Sequence, residues 1–454
     1  MKILNCLKNY FGYHGVKRQL SEYGHIYTRG RYVVSMVFLA IVILSGGMLL
    51  QLKMECTLVV FVTALCCFPE ILRTHFYNMF QEKRYRDVDG YLHQMIYSFQ
   101  RLPKISIALR DTHKITDGKM KIQVQEAMDE LQYGSGQWVY SDALRHIETH
   151  YSCERIGTLH RFMIQVEERG GRYHNSMRVF LEDVDRWGKR IYQLQKEMKC
   201  VKRDISIGIL ISIFLSSASI LISWILKYTS GMNISIANEP LYQLISTVFF
   251  VISILFYTYT QVHHKRNWLQ EARLERQISY DLKVLKKCQK TKRRHQGFRG
   301  KAVQKRLEED LYHGFSEWLR NIALNLQEKP LQEAVKESYG NCPIVMKESL
   351  ENFINAIELD PSDVTPYYNF LGEFQVPDIS ASVRTLYGLS ELDHTNMDEE
   401  INKMIARNYE MQDRHETLKG TDYLSMMKFS EYIPVFFVSL KMGLDMILLI
   451  SNYL

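Results

Sequence analysis

The stretch Ile205–Leu226 carries no charged side chain, and this limits the fold more than any other feature. An α-helix needs about 20 predominantly apolar residues to cross the ~30 Å hydrocarbon layer of a bilayer. A stretch this long whose polar groups are mostly serine hydroxyls reads as a membrane span. Four more apolar runs follow the same logic: Tyr32–Leu50, Thr57–Leu72, Leu241–Tyr259 and Tyr432–Leu454. The mean hydropathy of −0.20 conceals them, because two long polar stretches dilute the average. Inside lipid every backbone polar group must be satisfied within its own segment or a closed barrel. The expectation is an all-α, multi-pass membrane protein with five transmembrane helices.

Gln51–Cys56 joins the first two runs into a hairpin, with Pro69 and Glu70 near the end of the second. The polar, basic N-terminus and the paired apolar runs behind it do not read as a signal peptide. Orientation follows from Lys and Arg, which accumulate on the cytoplasmic side. Lys2, Lys8, Lys17, Arg18, Arg29 and Arg31 precede the first span, and both long polar segments are rich in Lys and Arg near their membrane ends. The connectors Gln51–Cys56 and Lys227–Pro240 carry almost none. The bias places a basic N-terminus (1–31), a first helical bundle (73–204), a basic linker (262–306) and a second bundle (307–431) in the cytosol. The spans occupy 32–72, 205–261 and 432–454, and the C-terminus lies outside a cell membrane. Of the eight cysteines, Cys153, Cys200, Cys288 and Cys342 fall in the cytosolic segments with no CxxC spacing, so a disulfide framework is not expected.

The two polar segments share a scheme. Leu92, Met95, Ile96 and Phe99 lie on one helical face, and Phe315, Trp318, Leu319 and Ile322 repeat their spacing. Ala108 and Leu109 are answered by Ala334 and Val335. Ile156, Leu159 and Phe162 are answered by Val383, Leu386 and Leu389, and Met177, Phe180 and Leu181 by Ile401, Met404 and Ile405. One shared stripe is chance; four in order, each copy ending at a span, indicate a duplication. Gly170 and Gly171 form the expected turn before the last helix of the first copy. That helix is expected to run unbroken through Arg172–Leu226.

Charge separates the copies. Leu307–Glu431 has more than twice as many acidic as basic side chains, while His263–Arg306 is strongly basic. Lys286, Lys287, Lys290, Arg293 and Arg294 are candidates for contact with a partner or with anionic lipid, at about 1 kcal/mol per residue near such a leaflet. A solvated flank of the span is the plainer alternative. No zinc spacing, helix-turn-helix or RNA-binding aromatic motif accompanies the charge, which argues against nucleic acid.

Recognisable catalytic constellations are missing. His146 and His150 share a helical face, but Ile147 stands where a metalloprotease helix needs Glu. Walker, GxSxG and GxGxxG patterns are lacking, so no enzymatic activity, cofactor or metal is expected. Asn233–Ser235 matches a glycosylation acceptor, a frequent accidental match. Gly208, Ser212, Ser216, Ser219 and Ser223 recur at intervals of three and four and put small residues on one face of the third span, where helices pack closely. That face would also suit a homo-oligomer. Lys441 and Asp445, four apart in the last span, suit a structural ion pair; a transporter or channel using the pair is the rival reading.

The order of helical module, two spans, second module and final span resembles the F-domain platform proteins of type II secretion and type IV pilus machines, from Arg73 to the C-terminus. The N-terminal hairpin is more similar to the platform proteins of Tad/Flp pilus assembly. The residues that carry the resemblance are Tyr91–Arg101 leading into Ile107-Ala108-Leu109, then Ala143-Leu144, then Phe162 through Glu167-Glu168-Arg169-Gly170-Gly171, and the long helix through Trp187. Arg101-Leu102-Pro103-Lys104 departs from the family's glycine before the Ala-Leu step, and Asp393-His394-Thr395-Asn396 replaces the glycine pair in the second copy. The resemblance implies a compact six-helix bundle in each module. It also implies a non-enzymatic role in a cell membrane, coupling a cytoplasmic hexameric ATPase to pilin-like subunits beside a second platform protein or another copy.

Overall fold

The computed structural model describes residues 13–25, 27–134, 139–170, 173–230, 236–269, 275–290, 298–326, 329–360, 363–374, 376–389 and 394–453. Among them every regular element is helical. The chain begins with α1 (Tyr13–Glu22), α2 (Arg29–Leu49), α3 (Met54–Arg101), α4 (Ile105–Ile115), α5 (Gly118–Tyr133) and α6 (Val139–Tyr151). It continues through α7 (Glu154–Arg169), α8 (His174–Ser216), α9 (Ala218–Ser230), α10 (Pro240–His263), α11 (Glu275–Lys290) and α12 (Phe298–Asn325). The remainder is α13 (Leu331–Ser338), α14 (Lys347–Leu359), α15 (Thr365–Asn369), α16 (Pro377–Leu389), α17 (His394–Phe429) and α18 (Ile433–Tyr453). The fold divides into a span unit, Met1–Lys83 with Tyr192–Asn267 and Gly420–Leu454, and a module unit, Arg84–Ile191 with Trp268–Lys419.

The span unit contains five stretches long and apolar enough to cross a membrane, one within each of Arg29–Leu49, Met54–Arg101, His174–Thr229, Pro240–His263 and Glu399–Ser451. Phe38, Phe214 and Phe436 on these stretches are 67%, 70% and 66% exposed. Apolar surface of that extent is a liability in water and the normal contact surface in lipid. This is an all-α chain built to sit in a bilayer. Pro69 lies inside α3, which continues through it to Arg101.

Close packing holds the hairpin against the fourth span. Ile43, Leu50, Val60, Ala64 and Phe250 form one cluster. A Cβ at Gly46 would come within 2.6 Å of the Phe250 ring, so only glycine lets these helices approach so closely. The Gln243 amide ties the connectors together, donating to Gln51 O at 2.9 Å and Ala237 O at 2.7 Å and accepting from Lys53 N at 2.9 Å. The amphipathic α1 packs Val16 and Leu20 beside Tyr27, Leu72 and Phe76.

The expected unbroken helix through Arg172–Leu226 is corrected. α8 begins at His174 and stops at Ser216, and α9 restarts at Ala218. The Ser217 N–H bonds Phe214 O at 3.0 Å and the Ile220 N–H bonds Ser217 O at 3.1 Å, three-residue steps in place of four.

Within the module unit two runs of six helices follow each other: the end of α3 with α4 to α8, and α12 to α17. The apolar stripes are the cores. Leu92, Met95, Ile96 and Phe99 are buried in the first, and Phe315, Trp318, Leu319 and Ile322 in the second. The copies also pack on each other. Thr158 donates to Glu317 at 3.0 Å, Arg161 pairs with the same carboxylate, and Gln165 reaches Asn325 at 3.5 Å. Ser176 donates to Asn402 at 3.3 Å, and Arg190 pairs with Asp413 and Glu416. Both contact series ascend in each partner, so α7 runs parallel to α12 and α8 to α17. Val179 of α8 joins the second module's core.

Candidate functional site

A buried polar cluster in the span unit is built around α18. Lys441 and Asp445 are one helical turn apart, and Lys441 Nζ lies 2.6 Å from Asp445 Oδ2. The side chains are 2% and 0% exposed. Lys441 Nζ also donates to Ser216 O at 3.1 Å and sits 4.7 Å from the centre of the Tyr242 ring. Tyr242 donates its hydroxyl to Leu50 O at 3.3 Å. Thus α8, α10 and α18 converge on one ammonium. Taking two charges out of water costs several kcal/mol each, and only good geometry with further hydrogen bonds offsets it. Here Lys441 has a carboxylate, a carbonyl and a π face; Asp445 Oδ1 is buried without a hydrogen-bond partner.

The small-residue face supplies the room. Ser212, Ser216, Ser219 and Ser223 are buried, Ser219 Oγ donates to Ser216 O at 3.1 Å, and Ser223 Oγ accepts from Ile236 N at 3.4 Å. A Cβ at Gly208 would lie 3.9 Å from Glu431 O. These contacts are made inside one chain, so the buried serines of this face are not a surface open to a second copy.

At the end of the fourth span, His264 Nδ1 is 2.6 Å from the Tyr423 hydroxyl, and Lys202 Nζ caps the helix by donating to His264 O at 3.4 Å. Burial, then the nearby Lys202 charge, pushes the His264 pKa from 6.5 down to about 4. The unfolded chain therefore binds a proton that the folded chain refuses. Stability from this residue is fully present above pH 6.5 and is lost as pH falls from there to about 4. Melting temperature followed across that window should fall less in His264→Gln than in the parent; parallel curves would refute the assignment.

The sequence-predicted basic cluster is only partly within the described residues. Lys286 pairs with Glu348, and its helix α11 packs Ile278, Leu282 and Leu285 on the second module's core. Asp281, almost fully buried, receives Arg306 in a two-point contact at 3.1 Å. Lys287 is exposed on α11; the Lys290 side chain and the whole of Arg293 and Arg294 lie outside the described residues. So does Gly171, as do Asn233–Ser235 and Asp393. Gly170 closes α7 with φ +77° and ψ −144°, a conformation open to glycine but different from the left-handed cap expected. His146 lies 4.0 Å from Glu126, and among the described residues no group of three or more His, Cys, Asp and Glu is placed to hold a metal.

Two buried arrangements in the first module escaped sequence reasoning. Glu167 accepts from the Ile105 backbone N–H at 2.7 Å and from Tyr140 at 3.1 Å, capping α4 from another helix. His160, 1% exposed, joins Tyr91 at 2.7 Å to Glu148 at 2.8 Å. Burial lowers the His160 pKa, so the ring is neutral, donating to Glu148 and accepting from Tyr91. Its polar character inside an apolar stripe was the available signal. The relay runs from the buried Tyr91 to the surface, where the Glu148 side chain is 36% exposed.

No protein-family model, curated protein or solved structure matches this chain.

Proposed function

We propose that this chain is a membrane platform of a type II secretion or type IV, Tad/Flp-like pilus assembly machine. In this reading it has no catalytic step of its own and couples a cytoplasmic hexameric ATPase to the insertion of pilin-like subunits. The observation that carries the reading is the repeated six-helix order in which each copy ends on a long helix leading to an apolar span. α8 contains both Trp187 of the first core and the start of the third span. α17 is followed by one 3₁₀ turn, Ser430–Tyr432, and then by α18. The Lys and Arg bias puts both modules on the cytoplasmic side, where such an ATPase works.

Inserting Gly-Pro between Lys199 and Cys200 interrupts α8 outside the apolar stretch. The variant should insert normally and abolish pilus or secretion output, while a crosslinked pull-down of the parent recovers a hexameric ATPase or pilin-like subunits. Normal output in the variant, with a parent protein recovered alone, would defeat the reading.

One observation favours a transporter instead: the enclosed Lys441–Asp445 pair, with a carboxylate oxygen lacking a partner. Replacing both residues by leucine abolishes flux in a transporter and leaves platform output largely intact.

A further inference from the structure

We propose that the third span contains a hinge at Ser217 and that Lys441 holds it closed. The proposal needs only the span unit and stands whether or not the platform reading survives.

Helix breaks inside a bilayer have identifiable causes: proline, glycine or serine pairs, or a group inserted into the hydrogen-bond ladder. Neither proline nor glycine lies between Ile209 and Ser230. The Ser217 hydroxyl takes Phe214 O at 2.6 Å within the turn, and the group inserted from another helix is the Lys441 ammonium, on the Ser216 carbonyl at 3.1 Å. Ser219 Oγ takes the same oxygen at 3.1 Å, while the Ile220 and Leu221 N–H groups both turn to Ser217 O, at 3.1 and 3.3 Å. The carbonyl has thus left the regular ladder for the Ser219 hydroxyl and a cation from another span. In hydrocarbon a carbonyl freed from the ladder must find donors, and of the two it has here, the Ser219 hydroxyl and the Lys441 ammonium, only the ammonium ties it to another span.

The donor is fixed in turn. Asp445 Oδ2 holds the ammonium at 2.6 Å, and Tyr242, which covers it, is anchored to Leu50 O. The break lies roughly midway along Ile205–Leu226, where water cannot replace a lost donor. With the ammonium seated, the two half-helices have one arrangement. Without it the ladder either closes into a straight helix or bends about Ser217, and the angle between the halves is no longer set. Lys441 is therefore a positioning residue for the geometry of the third span.

The test places nitroxide labels at Ile207 and Tyr228, both exposed on the flanking half-helices, in full-length protein whose native cysteines are replaced. Distances are read by double electron–electron resonance in lipid nanodiscs. The parent should give one narrow distribution. Lys441→Met, close in shape, and Lys441→Leu with Asp445→Leu, which leaves no lone charge, should each shift it or widen it about twofold. Either folded variant suffices. Asp445→Asn, which keeps the ammonium on Ser216 O, should stay near the parent. A parent-like distribution in a folded Lys441 variant, or an equal change in Asp445→Asn, would overturn the proposal.

Discussion

Asp445→Leu should lower the stability of the span unit by about 3–5 kcal/mol, the range for breaking a buried ion pair by removing one partner. The loss comes from what remains. Lys441, 2% exposed, would keep its charge beside Ser216 O and the Tyr242 ring with no carboxylate near it. Adding Lys441→Leu should restore most of the loss, because two well-packed apolar groups of similar volume often equal or exceed a buried pair. Denaturant titration in bicelles, with both variants beside the parent, measures the difference. Equal losses in the single and double variants would mean that shape, not charge, holds the three helices at this point.

The second large effect belongs to the module unit. Trp318 is 1% exposed, with its ring 5.4 Å from Phe315 and stacked on Phe370 at 5.9 Å. Trp318→Ala should cost about 3–5 kcal/mol through lost burial and the cavity left behind. Trp318→Phe should cost much less. It keeps an aromatic ring in the stack and removes an indole N–H that is buried without a hydrogen-bond partner. Pulse proteolysis in urea, scored on cleavage within Trp268–Lys419, reads both. Comparable losses for Ala and Phe would show that the indole itself, rather than the volume it fills, supports this core.

The features legible in sequence are those set by local pattern. Five spans declared themselves by length and apolarity, and module helices by stripes such as Leu92–Phe99 and Phe315–Ile322, which the fold buries as read. Lys441 and Asp445 could be paired from their spacing alone. What sequence did not disclose was decided by groups far away along the chain. Ser216, Ser217 and Ser219 are a local signal for a break, but the ammonium on Ser216 O comes from a residue 225 positions away and could not be read beside them. Glu167 belonged to the motif behind the family resemblance, yet its work as a cap for Ile105, 62 positions earlier, is set by the fold and not by local pattern. Lys286 stood out as one positive charge in a basic run, while its partner Glu348 lies 62 positions later.

The module unit is assembled from Arg84–Ile191 and Trp268–Lys419, with Tyr192–Asn267 of the span unit synthesised between them. This imposes an order in time. Chains emerge N-terminus first, at about 5–20 residues per second, and domains generally fold as units. The first copy can close its core before the third span leaves the ribosome, since Glu167 has already arrived to cap α4. The second copy is made only after the two middle spans, and it completes its core against the first, since Val179 of α8 is one of its core residues. Correct delivery of the two middle spans into the bilayer is thus a kinetic checkpoint. A chain that fails there is left with half of a folded unit and the exposed apolar stripes of the other half.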